Sequence, residues 1–351
     1  MDRREFIGKV TALATTSALG GCALPQAAVP RAAMPKEMWG FLAHFGVKMW
    51  ERRADYPRFD FDYSVWRTAT DRMAEKGVNT LVIDLGEGLV YPSHPELGLP
   101  GSWEPERMRD EISRLKRTGI LAVPKLNFSA THDQWLGKWR RYLSTPEYYG
   151  VCADIIRDVA EIFDESPLFH LGWDEETYAL QDRPCTRMVR LRRGDLWWND
   201  CLFTIGEAEK HGMRPWIWSD AYWHHPEEFL KRMPKNVLQS NWYYGRDLSE
   251  AHLRHLDETM GPTLSGPRVQ IVRAYRELSE AGYDQVPTGS TYKKNDFQTQ
   301  NFPALVRHCR KTVAPGRLKG FLMAPWIVEN KRESLDKLLR SADNVAEARG
   351  G

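Results

Sequence analysis

Short apolar runs separated by longer amphipathic stretches recur along this chain, and that alternation constrains its fold more than any other feature. The runs are 41–47, 80–85, 121–126, 168–172, 214–219, 237–241, 284–288 and 320–324. Strand-like runs alternating with helix-period segments specify parallel strands covered by helices, and eight is the number that closes a barrel. The helical patterns fall at 63–76, 105–118, 146–163, 188–211, 227–232, 268–281 and 302–313. Pro105, Pro146 and Pro226 stand at first turns, and Gly77, Gly119, Gly212 and Gly282 just past last ones. Each of those glycines is followed at once by an apolar residue and the next strand, which reads as one αβ turn used repeatedly. An open doubly wound sheet is the competing architecture, but no Gly-x-Gly-x-x-Gly turn follows a strand. The expectation is an α/β fold, a single-domain (β/α)8 TIM barrel over 37–345. A longer insertion at 245–267 is expected to form a loop or lid with a short helix.

The residues ahead of the barrel have a different character. Arg3-Arg4 precedes a weakly apolar run, 10–18, too short to span a bilayer. It resembles a twin-arginine export signal, and Leu19-Gly20-Gly21-Cys22 behind it is similar to the lipobox of bacterial lipoproteins. These segments imply a signal over 1–22, lipidation of Cys22, an Ala/Pro-rich tether over 23–36, and a periplasmic or cell-surface protein held to the membrane by its lipid alone. The formal charge is +2, with basic and acidic residues interleaved, so the electrostatic footprint of a nucleic-acid binder is absent. Cys152, Cys185, Cys201 and Cys309 form no Cys-x-x-Cys pair; Cys152, Cys201 and Cys309 fall in helical patterns and read as buried thiols. No cofactor is called for.

A barrel of this kind places its site at the C-terminal ends of the strands. Those positions hold Lys48 and Trp50; Asp84 and Glu87; Lys125, Asn127 and His132; Asp174, Glu175 and Glu176; Trp218, Asp220 and Trp223; Asn241, Trp242, Tyr243 and Tyr244; Ser290 and Tyr292; Trp326 and Glu329. Many of the chain's 14 Trp recur there. Sugars pack their C–H faces on aromatic rings while their hydroxyls seek amides and carboxylates, so this mixture suits a carbohydrate.

The stretch His170-Leu171-Gly172-Trp173-Asp174-Glu175 resembles the His-x-Gly-Gly-Asp-Glu motif of family 20 glycoside hydrolases, the β-N-acetylhexosaminidases. The resemblance implies Glu175 as general acid/base and Asp174 as the group that orients a 2-acetamido substituent, whose carbonyl oxygen serves as nucleophile. Tyr91-Pro92-Ser93-His94-Pro95-Glu96-Leu97 and the segment from Pro124 to His132 resemble stretches after strands two and three of that family. Trp326 and Glu329 lie where the family grips the terminal sugar. Asp84, Asn127, His132, Trp173, Trp218, Asp220, Asn241, Trp242 and Tyr243 complete the candidate substrate-binding set, with core hydrogen bonding as the alternative for Asp220 and Asn241. Tyr243 and Tyr244 are equal candidates for the acetamido oxygen. Trp173 replaces a small residue and is expected to reshape the pocket; Asn127 stands where the family has an Asp.

Two other readings compete. His44, Asp84, His132, Asp174 and Asp220 would be the ligands of a metal-dependent barrel hydrolase or isomerase, although metal-ligand spacing such as His-x-His is missing. A glycan-binding lipoprotein without turnover would keep the pocket and have no need of Glu175. The acids could also be salt-bridged to Arg183 or Arg187.

Overall fold

The computed structural model describes residues 31–46, 56–176, 192–263, 265–291, 301–327 and 331–350. Cys22, Lys48, Trp50, Arg183, Cys185, Arg187, Tyr292 and Glu329 lie outside the described residues. Eight parallel strands form the sheet: β1 (Met38–His44), β2 (Thr80–Asp84), β3 (Leu121–Lys125), β4 (Leu168–Gly172), β5 (Arg214–Trp218), β6 (Leu238–Ser240), β7 (Thr288–Gly289) and β8 (Gly320–Met323). Their order is β6-β5-β4-β3-β2-β1-β8-β7. The ring is completed between β6 and β7 by isolated bridges, Gln239 to Gln285 and Trp242 to Thr288, rather than by a ladder. The single-domain (β/α)8 barrel expected from the sequence is the architecture found.

The connecting helices are α1 (Tyr63–Glu75), α2 (Pro105–Arg117), α3 (Pro146–Ile162), α4 (Asp195–Lys210), α5 (Asp220–His224), α6 (Pro226–Arg232), α7 (Glu250–Met260), α8 (Arg268–Glu280), α9 (Asn301–Thr312) and α10 (Leu335–Gly350). Asp62 caps α1, its Oδ1 accepting the Ser64 and Val65 amides. The repeated αβ turn is a Schellman stop. Gly77, Gly119, Gly212 and Gly282 have φ of 82°, 83°, 73° and 87°. In each case the next residue donates five positions back, as Val78 does to Met73 and Ile120 to Leu115. Those next residues, Val78, Ile120, Met213 and Tyr283, are all buried, so each turn also starts the strand with an apolar anchor.

Strand alternation sorts the core into two layers. Met38, Leu42, Val82, Val123, Leu168, Trp216 and Leu238 fill the barrel interior, while Phe41, Leu81, Ile83, Phe169 and Ile217 face the helices. Continuing the interior row upward gives His44, Asp84, Lys125, His170 and Trp218, a buried ring at the C-terminal rim. The register places them side by side, with His44 opposite Asp84, Asp84 opposite Lys125 and Lys125 opposite His170.

Several details differ from expectation. Residues 31–36 belong to the folded body rather than to a free tether, since Arg31 donates to the carbonyls of Phe163 and His211 at 2.7 Å each. The helices α5 and α10 were not anticipated, and β1 starts three residues early because Met38 already pairs with Gly320 of β8. The insertion after β6 contains α7. Cys152, Cys201 and Cys309 are buried thiols in α3, α4 and α9.

Candidate active site

The site begins with a break in β4. His170 pairs with Trp216 but Gly172 pairs with Ile217, so Leu171 is bulged out. Gly172 sits at φ 77°, and an added Cβ there would lie 2.1 Å from Asn127 Oδ1; only glycine fits. Beyond it Trp173 and Glu175 also take positive φ, 70° and 57°, conformations that cost L-residues free energy and concentrate at functional sites. These turns end the in–out alternation and let consecutive acids approach the same neighbours.

Asp174 is buried and fixed from two directions. Its Oδ1 accepts Asn127 Nδ2 at 2.7 Å and its Oδ2 lies 3.5 Å from His132 Nε2. Its carbonyl accepts the Ser129 hydroxyl at 2.5 Å and the Thr131 hydroxyl at 3.2 Å. Glu175 is the open member: its side chain is 32% exposed against 8% for Asp174 and 2% for Glu176. Glu175 Oε2 lies 3.3 Å from His132 Nε2, and its amide donates to Asp220 Oδ2 at 3.1 Å. Asp220 Oδ1 accepts Trp242 Nε1 at 2.7 Å, so one buried carboxyl ties β4, β5 and β6 together.

Burial lowers the His132 pKa, but the charges of Asp174 and Glu175 and the hydrogen bond to Glu175 outweigh it and raise it to about 9. Burial pushes the Asp220 carboxyl well above the carboxylate range, and the negative charges of Asp174 and Glu175 add to this. Asp84 goes the other way. Burial opposes its ionisation, yet Lys125 at 2.7 Å and His44 at 3.0 Å hold it below the usual range. The Lys125 ammonium is fully buried and occupies the flank of Asp84 that a metal reading required. Among the described residues, no group of three or more His, Cys, Asp or Glu is arranged to hold a metal ion.

The aromatic residues divide by exposure. Trp242, Tyr244 and Trp326 are half-buried at the mouth. Trp242 stacks on Tyr244 with centroids 5.0 Å apart, and Trp326 Nε1 donates to the Tyr244 hydroxyl at 3.0 Å. Tyr244 feels the charges of Asp220, Glu175 and Asp174. Tyr243 instead has Arg268, Asp257 and Asp247 as its charged neighbours, so of the two candidate tyrosines Tyr244 is the one whose charged surroundings include the acids. Trp218 is 1% exposed between His170 and Trp326, a floor under the site rather than an open platform. Trp173 is equally buried, its Nε1 on Thr204 and its ring under the Arg192 guanidinium. Asn241 is a core residue as well: its amide accepts Trp223 Nε1 and donates to the Ile271 carbonyl, both at 2.8 Å. Among the described residues, Arg192 is the arginine that pairs with the acid segment, through Glu176. A cavity of about 420 Å³ opens beside Asp220, its described walls including Trp173, Trp197, Trp198, His224 and His225.

No family model and no curated protein sequence matches the chain. Solved structures do resemble it. A family 20 exo-β-N-acetylglucosaminidase of Vibrio harveyi has a TM-score of 0.60 at 14% identity over 89% of this chain, which spans about half (54%) of that enzyme. The β-N-acetylhexosaminidase of Bacteroides fragilis gives 0.57 at 15% identity, covering 88% of this chain and 65% of the other. Dispersin B gives 0.56 at 15% identity over 90% of this chain and its own full length. At such identities the likeness is one of fold: this chain has the barrel architecture of family 20 glycoside hydrolases.

Proposed function

We propose that the protein is a glycoside hydrolase acting on 2-acetamido-2-deoxyhexosides, with Glu175 as acid/base and Asp174 orienting the acetamido group. The observation that carries this reading is the unequal exposure of the acids. Glu175 is the most exposed of the three consecutive acids, whereas Asp174 is pinned by Asn127 beside it. His132 and Glu175 share one transferable proton, which passes to the carboxyl as a glycosidic oxygen arrives. That oxygen leaves protonated, the acetamido oxygen attacks the anomeric carbon, and water then opens the cyclic intermediate with Glu175 taking its proton. Asp174 accepts the acetamido N–H and supports its developing positive charge. Trp242, Tyr244 and Trp326 supply the ring faces, and the Tyr244 hydroxyl is the donor to the acetamido oxygen.

The test is hydrolysis of chromogenic aryl 2-acetamido-2-deoxyglycosides of both anomeric forms. Glu175→Gln is expected to abolish release while ligand binding persists. Wild-type protein that releases nothing from the panel refutes the assignment; binding without turnover then favours the glycan-binding reading. We also propose export with lipidation at Cys22, carried by Arg3-Arg4 and Leu19-Gly20-Gly21-Cys22. Cys22→Ala should abolish metabolic lipid labelling and release the protein from membranes, and retained labelling refutes it.

A further inference from the structure

The third acid of the Asp174-Glu175-Glu176 run and the tryptophan before it have no place in that chemistry, and both meet at one buried arginine. We propose that Arg192 is a positioning residue, fixing the acid-bearing segment 173–176 against the loop that carries Asn127 and His132. Each of its three guanidinium nitrogens has a partner. Nε and Nη2 reach Glu176 Oε1 at 2.9 and 2.7 Å, Nη2 donates to the Phe128 carbonyl at 2.8 Å, and Nη1 donates to Asp200 Oδ2 at 3.0 Å. Its Cζ stands 4.5 Å over the Trp173 ring, a cation–π contact.

The two sides so joined are the two that face each other in the site. Glu176 and Trp173 bracket Asp174 and Glu175, while Phe128 lies between Asn127 and His132. Glu176 Oε1 also accepts the Ala130 amide at 3.1 Å, adding a second strut between the same segments. Asp200 anchors the assembly to α4 and is itself held by Ser144 at 2.7 Å and Tyr149 at 2.5 Å. A planar fork that serves three acceptors at once cannot be replaced by a point charge. Trp173 thus carries the arginine, and Glu176 neutralises it. Because displacement of a reacting group by about 1 Å can cost 10²-fold in rate, the effect reaches Glu175 without touching substrate.

This inference rests on Glu175 and Asp174 being the reacting pair, but its first test needs no turnover. The titration midpoint of His132 reports how close both acids stand, and is read by NMR on histidine-labelled protein in wild type, Arg192→Met and Arg192→Lys. Loss of a nearby cation would by itself raise that midpoint, so a fall reports displacement of the acids. In folded Arg192→Met the midpoint should drop from about 9 by roughly one unit or more toward the free imidazole value. Arg192→Lys, which keeps the charge, should show a smaller drop. If Arg192→Met does not fold, Arg192→Lys decides. Midpoints equal to wild type in the folded variants overturn the proposal and leave Arg192 a stabilising residue only. With an active enzyme, the same variants should lower kcat by about 10²-fold with KM nearly unchanged; a change in KM alone also overturns it. A fall in the midpoint in a protein that hydrolyses nothing supports the positioning role and refutes the hydrolase, whereas a rise, the effect of the lost charge alone, overturns the positioning role.

Discussion

The His132 imidazole makes the stability of the whole barrel depend on pH in a calculable way. Its pKa is about 9 in the folded protein against a reference of 6.5, a difference of 2.5 units. At 1.36 kcal/mol per unit this is about 3 kcal/mol, and full burial means no discount for solvent screening. Because the folded value is the higher, the contribution is complete below about pH 6.5 and is lost as pH rises through about 9. Between these values the slope approaches its one-proton limit of about 1.4 kcal/mol per pH unit. Urea denaturation at intervals from pH 6 to pH 10 measures it, with His132→Gln as the reference. Asp220, whose pKa is also raised, weakens the fold with rising pH in both proteins, so the difference between the two curves isolates the histidine. That difference should shrink by about 3 kcal/mol across the window. Parallel curves would refute the claim that His132 is held as a cation by Asp174 and Glu175.

Three further outcomes are expected. Gly172→Ala places a Cβ against Asn127 at a positive φ and should destabilise the fold by about 3 kcal/mol; a neutral result in thermal or urea denaturation would mean that the bulge is not required. Glu175→Gln should lower kcat on an aryl 2-acetamido-2-deoxyglycoside by about 10²–10⁴-fold, and a rate equal to wild type would recast Glu175 as something other than the acid/base. Asn241→Ala strands the Trp223 indole N–H and the Ile271 carbonyl and should cost about 2 kcal/mol of stability with KM unchanged; a selective rise in KM would return Asn241 to the sugar-binding set.

The strands at 80–84, 168–172 and 214–218 were legible because each is a compact apolar run starting right after a turn, and Schellman glycines, Gly77 and Gly212, mark where two of the helices before them end. The run at 284–288 was only half right: Gln285 is extended but paired through isolated bridges to Gln239 and Leu318, and the ladder itself is Thr288–Gly289. The helix α10 was in fact legible in the i, i+4, i+7 spacing of its buried Leu338, Ala342 and Val345. Within the site, the acid pair and its neighbours Asn127, His132 and Asp220 were visible as polar residues just past strand ends. Exposure was not. Nothing in the sequence separates the buried Trp173 and Trp218 from the half-open Trp242 and Trp326. Period-two spacing does offer a signal for Tyr244, which shares a face with Trp242 where Tyr243 does not. Arg192 lies 16 residues beyond Glu176, and no local pattern links an arginine to an acid across that interval.

Trp173, Glu175 and Trp326 are the non-glycine residues around this mouth that hold left-handed backbone, with φ of 70°, 57° and 55°. At buried Trp173 the packing lost with the indole would outweigh the roughly 1–2 kcal/mol of backbone strain relieved by glycine or asparagine, but at the more exposed Glu175 that relief would remain. A laboratory selection for heat resistance alone would therefore be drawn to position 175, where it would reward the removal of the proposed proton donor. Improvement of this protein for durability has to be coupled to a screen for turnover, because the most accessible gains in toughness lie where the chemistry is proposed to occur.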